Sequence, residues 1–189
     1  MGIDILIVSD KDEEINSADR FSEEIEQFFK GSISLSRTFC NFMSRKDIID
    51  HEPELDQIGR IAGVDIRPLY EMESYPDEDS INYELERADD SKERESILAR
   101  AKKDQERIQG NLGAVISVVN SLIQKLDQID NLPAQLMPTE RDTLNNKAYF
   151  SDKVDEGIGD NFVQYLRNFR QHLEYIKSKD GSTVWFHYG

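Results

Sequence analysis

Cysteine is almost missing from this 189-residue chain. Cys40 stands alone, so no disulfide forms within the chain and the reducing cytosol is the expected compartment. Long apolar runs are missing too. The longest, Ile5 to Val8, is strand-sized and far short of the ~20 residues that a membrane span requires. The early acid Asp4 and the lack of a basic leader argue against a secretory signal. Leu6 stands where an N-myristoylation start after Gly2 wants Ser or Thr. Bases are in deficit, with 23 Lys and Arg against 38 Asp and Glu, a net charge of -15. That balance repels phosphates and disfavours direct binding to nucleic acid or an anionic membrane. A soluble cytoplasmic protein is expected.

Catalytic and metal-binding patterns are equally scarce. The three histidines, His51, His172 and His187, have no second histidine or cysteine at ligand spacing, so no metal site is expected. Asp152, Asp155 and Asp160 around Gly157 miss the spacing of a calcium loop. Gly157-Ile158-Gly159 lacks the third glycine of a dinucleotide loop, and the acids beside it would repel a phosphate. There is no Walker loop, nucleophile elbow or HExxH motif. Cys40, set between Phe39 and Phe42, reads as a small buried hydrophobe rather than a nucleophile. No cofactor and no enzyme activity are expected.

What is present is a patterned chain of 38% apolar residues, long enough to bury about 70% of its unfolded surface in a core of its own. Ile3 to Val8 reads as a strand with apolar residues on both faces, which implies an interior place in a sheet. Phe21, Ile25, Phe28 and Phe29 form a helical stripe that stops at Gly31. A short helix follows, burying Leu35, Phe39, Phe42 and Met43, capped by Ser34 or Ser36. Pro53 opens a third helix carrying Leu55, Ile58 and Ile61, closed by Gly63. Arg67-Pro68 then predicts a non-helical connection anchored by Ile66, Leu69 and Met72.

A helix over Asp79 to Ala88 leads into a heptad pattern. Leu98, Leu112, Val119 and Leu126 take one core position, and Ala101, Ile108, Val115, Leu122 and Ile129 the other. One continuous helix would run roughly 58 Å, so Gly110 and Gly113 are the places for it to bend or break. Residues 76–130 therefore form a helical hairpin or long helix within a single domain of 1–189. Pro133 and Pro138 end the region.

The last forty residues read as strand, helix and strand: Tyr149-Phe150, a stripe of Phe162, Tyr165, Leu166, Phe169, Leu173 and Ile176, and Thr183 to Tyr188. Asp160 is the expected cap and Gly181 the stop. Parallel pairing with a right-handed crossover is expected of that unit. The fold class is α+β and mostly helical, with the N- and C-terminal strands in one small sheet packed by several helices.

Charge is the most informative pattern. Residues 1–29 hold nine acids and two bases, net -7, while residues 71–90 hold nine acids and one base, Arg87, net -8. Together these stretches account for the whole net charge. The second comprises Glu71, Glu73, Asp77, Glu78, Asp79, Glu84, Glu86, Asp89 and Asp90. Such runs serve as solvated faces and helix N-terminal charges. They also suit docking to a basic partner, a nuclease-type toxin or other nucleic-acid-binding protein, whose encounter they would steer. Two further readings stand beside it: self-assembly as a homodimer through the Leu98–Ile129 heptads, and a small-molecule binder or enzyme with no recognised motif, using a ligand face on the last strand where Trp185 and His187 share one side.

The opening Met1-Gly2-Ile3-Asp4-Ile5 and the ending Thr183-Val184-Trp185-Phe186-His187-Tyr188-Gly189 resemble a family of small, acidic, uncharacterised bacterial proteins. Leu35-Ser36-Arg37-Thr38-Phe39-Cys40, Glu54-Leu55-Asp56-Gln57-Ile58-Gly59 and Gly159-Asp160-Asn161-Phe162 share in the resemblance, which covers most of the chain. It brings no activity with it. By analogy with immunity proteins of this general kind, it implies a non-enzymatic inhibitor of a basic toxin.

Overall fold

Ile5–Ser9 and Val184–Tyr188 are built of β-branched and aromatic residues, which suit a pleated, half-buried surface. In the computed structural model, which describes residues 5–17, 35–44, 52–137, 149–150 and 161–188, they form β1 and β2 of a two-stranded antiparallel sheet. The register sets Ile5 opposite Tyr188, Ile7 opposite Phe186 and Ser9 opposite Val184. The pleat sends Val184 and Phe186 into the core, with Ile5 and Ser9 buried beside them. Leu6, Val8, Trp185 and His187 take the outer face.

The sheet joins the chain's first and last strands, as expected, but two expectations fail. Among the described residues β1 has one neighbour, not two, and the outward Leu6 is 57% exposed. Tyr149-Phe150 is a turn rather than a strand, so the parallel unit does not form. The Tyr149 carbonyl accepts from the Phe162 amide at 2.9 Å, and its ring stacks on Phe42 at 5.5 Å. Burial of two aromatic rings governs this segment, not β-propensity.

Asp12–Ser17 forms α1 and Arg37–Ser44 forms α2. Ser36 supplies the α2 cap, its hydroxyl accepting from the Phe39 amide at 3.1 Å. Glu54–Ala62 is α3, which ends where Gly63 takes the left-handed conformation at φ 65°. Arg67–Glu71 is helical (α4) and runs into a 3₁₀ turn, Met72–Ser74. This corrects the predicted connection, because Pro68 lies in the first helical turn, where its missing N–H costs nothing. The anchors Ile66, Leu69 and Met72 are buried as expected. The stripe from Phe21 to Phe29 and its stop at Gly31 lie outside the described residues.

Glu78–Arg87 (α5) and Ser91–Ile108 (α6) make the expected hairpin, capped by Asp77 and Asp90. The heptad does not continue as one helix. Gly110 adopts φ 75° and separates α6 from Leu112–Leu126 (α7). On α6 the buried stripe is Ile97, Ala101 and Ile108, while Leu98 is 50% exposed. Gly113 sits inside α7 and breaks nothing. Leu132–Gln135 is a short α8 with Pro133 in its first turn. Phe162–Ser178 (α9) carries the predicted apolar stripe, but its cap is Asn161, whose Oδ1 accepts from the Gln164 amide at 2.8 Å. The predicted cap, Asp160, lies outside the described residues.

One cluster of buried apolar side chains draws on β1, α2, α3, α4, α7, α8, α9 and β2. Helices α5 and α6 contribute nothing to it. The hairpin stands outside the main core, held by its own thin seam. No helix among the described residues is long and apolar enough to cross a membrane.

Candidate partner-binding site

The hairpin and its caps carry seven of the nine acids of the second stretch, while Glu71 ends α4. Helix α5 buries none of its residues, and two of the nine acids have a local structural role. Asp77 Oδ1 accepts from the Ser80 amide at 2.7 Å, and Asp90 Oδ1 accepts from the Glu93 amide at 2.8 Å. Both are helix caps, as the dipole favours. Glu84 is paired with Arg100 across the hairpin, and Glu73 is half-buried in the 3₁₀ turn. The other five, Glu71, Glu78, Asp79, Glu86 and Asp89, are exposed and make no ion pair among the described residues. The single base of the stretch, Arg87, folds back on Tyr83, donating to its hydroxyl at 2.7 Å with the guanidinium 5.3 Å from the ring centre. Tyr83 itself is 60% exposed.

The predicted ligand face meets this hairpin at its root. Trp185 stacks on Tyr75, with ring centres 4.0 Å apart and planes within 19°. Two residues on, His187 Nδ1 lies 2.8 Å from Asp77 Oδ2. Asp77 thus caps α5 with one oxygen and reaches β2 with the other. Burial opposes ionisation of its carboxyl, yet the hydrogen bonds from Ser80 and His187 hold its pKa below the ordinary aspartate value. The Tyr75 hydroxyl is pushed up by burial and by the charge of Asp10. One acid of each sequence stretch is thus bonded to β2 or to the residue that leads into it, Asp77 at His187 and Asp10 at Thr183.

Asp10 and Asn111 were invisible as site-building residues in the sequence. The Asp10 carboxylate accepts from the Ser182 amide at 3.0 Å, the Ser182 hydroxyl at 2.6 Å and the Thr183 amide at 3.1 Å. These bonds overcome the opposing effect of burial and lower its pKa. Asn111 lies alongside β2 as a neighbouring strand would, donating to the Val184 carbonyl and accepting from the Val184 amide, both at 2.8 Å. The Gly110 amide donates to Thr183 Oγ1 at 3.0 Å, and the Leu112 amide to the Ser182 carbonyl at 3.0 Å. The α6–α7 joint is tied to the start of β2 by these bonds.

The remaining candidates fall elsewhere. Cys40 is buried, 3% exposed. His172 is half-buried on α9. His51, Asp152, Asp155, Asp160 and the Gly157–Gly159 segment lie outside the described residues. Among the described residues no group of three or more His, Cys, Asp or Glu converges as a metal site would require. A cleft of about 40 Å³ between α5 and α6, lined by Pro76, Ile81, Ile97 and Ala101, falls well below the roughly 300 Å³ of a metabolite pocket. Comparison with protein-family models, curated proteins and solved structures finds no match to this chain.

Proposed function

We propose that the chain is a protein-interaction module that engages a basic partner through the α5–α6 hairpin, in the manner of an immunity-type inhibitor. One observation carries the reading. A hairpin outside the main core, whose helix α5 buries no residue, holds four exposed acids, Glu78, Asp79, Glu86 and Asp89, that make no ion pair among the described residues. Leaving four carboxylates unpaired on one hairpin adds to self-repulsion, which a basic partner would relieve. A nuclease-type toxin or other nucleic-acid-binding protein fits, since a groove that attracts phosphates attracts carboxylates on the same terms.

The homodimer reading meets a competing demand. Leu112, Val115, Val119, Leu122 and Leu126 are buried in the chain's own core, so a dimer through that seam would have to displace the core. Leu98 is the one heptad residue left largely exposed.

The test is kinetic. A partner recovered from the native cell should associate with this chain at a rate that falls about tenfold or more between low and physiological salt. The quadruple variant Glu78→Gln, Asp79→Asn, Glu86→Gln, Asp89→Asn should slow association while leaving dissociation nearly unchanged. An association rate insensitive to both salt and these substitutions would sink the proposal.

A further inference from the structure

The outer face of the sheet combines three features that planar cations recognise. Trp185 and Tyr75 offer half-buried, stacked rings. Leu6, 57% exposed, and Val8, half-buried, provide aliphatic surface beside them on β1. Asp77 borders the face through its bond to His187, and Asp10 accepts from the Thr183 amide two residues before Trp185. The base nearest in sequence, Lys11, is engaged by Glu14 at 2.9 Å. An apolar centre with a charged border is the anatomy of an interface anchor.

We propose that this face seats an arginine side chain of the basic partner, its guanidinium on the Trp185–Tyr75 pair, its stem along Leu6 and Val8, and its charge matched by Asp77 and Asp10. The inference rests on the acidic-module reading and names the anchor within it. Charge complementarity selects a cation as occupant, since acids border the face. Ring stacking selects arginine over lysine, because a guanidinium is planar and weakly hydrated whereas an ammonium is compact and strongly hydrated. The hairpin acids would then set the rate of encounter, and the sheet face would set how long the complex lasts.

Trp185 is the only tryptophan in the chain, so its emission reports on this face alone. The probes are hexaarginine, hexalysine and hexacitrulline, titrated into the full chain at low salt, with affinity measured separately by calorimetry. Hexaarginine should bind and change the Trp185 emission, and hexacitrulline should do neither. Hexalysine should bind about tenfold more weakly. Tyr75→Leu should weaken hexaarginine about tenfold and Tyr75→Phe should not; unchanged circular dichroism separates this loss from misfolding. If hexaarginine binds with no change in emission, or if hexalysine matches it in affinity and in emission, the arginine seat is overturned and the acidic module stands. If neither cationic peptide binds, both fail.

Discussion

At the scale of single residues, the molecule is held together by polar side chains that stand in for backbone. Asn111 satisfies both hydrogen-bonding groups of Val184, which β1 does not reach. Asn111→Ala should leave a partly buried N–H and C=O unpaired and cost about 2 kcal/mol, read as a lower urea midpoint with an unchanged slope. The Asp10 carboxylate accepts from the amides of Ser182 and Thr183 in the same way. The pKa values of Asp10 and Asp77 are held below the ordinary 3.8. Their stabilisation is complete above that value and is lost as pH falls through it toward the folded pKa. Asp56 has the opposite sign: burial raises its pKa despite a hydrogen bond from Tyr70, so its protonation slightly favours the fold as pH drops. Glu52 and Asp65, paired with Arg60 and Arg67, are lowered as well, and four lowered carboxylates against one raised predict stability that is level above about pH 5 and declines below about pH 4. Asp10→Asn should lower the plateau and flatten that decline in a pH series of thermal melts. None of this was legible in the sequence. Asp10 and Ser182 are 172 positions apart, and an aspartate after a strand looks the same whether or not it clamps a distant turn.

At the scale of elements, much was legible wherever a chain-local rule decided the outcome. Gly63 ends α3 because an αL residue is needed there. The α9 stripe follows directly from 3.6-residue periodicity. The heptad failed because Ile97 and Leu98 are adjacent and both apolar, so two registers fit the same sequence. Packing against α5 selects Ile97 together with Ala101 and turns Leu98 to solvent. The two glycines named as possible breaks are likewise distinguished only in three dimensions. Gly110 lies at φ 75°, and its amide is committed to Thr183, whereas nothing lies within 4 Å of a Cβ built on Gly113. Gly110→Ala should therefore destabilise by about 1–2 kcal/mol. Gly113→Ala should stabilise by about 0.5 kcal/mol. Equal effects at both positions in chemical denaturation would contradict the broken helix.

At the scale of the whole molecule, a net charge of -15 sets self-repulsion against a handful of exposed ion pairs, each worth about 0–1 kcal/mol. Repulsion should win. Added NaCl should raise the melting temperature by screening, and the quadruple hairpin variant should melt higher than the parent at low salt. A melting temperature that falls with salt would show that the ion pairs outweigh the repulsion. The sequence by itself determined the fold class, the sheet between the first and last strands, the α5–α6 hairpin, the α9 stripe and the acidic balance. Each of these depends on propensity, periodicity or charge, which are properties of neighbours along the chain. The tertiary structure alone decided that β1 and β2 run antiparallel with no third strand among the described residues, and that the heptad splits at Gly110. It also placed Tyr75 on Trp185 and Asp77 on His187 at the root of an acidic arm. These are contacts between residues about 110 positions apart, chosen by competition for a shared core and by backbone groups that must be hydrogen-bonded somewhere, and no local pattern records them.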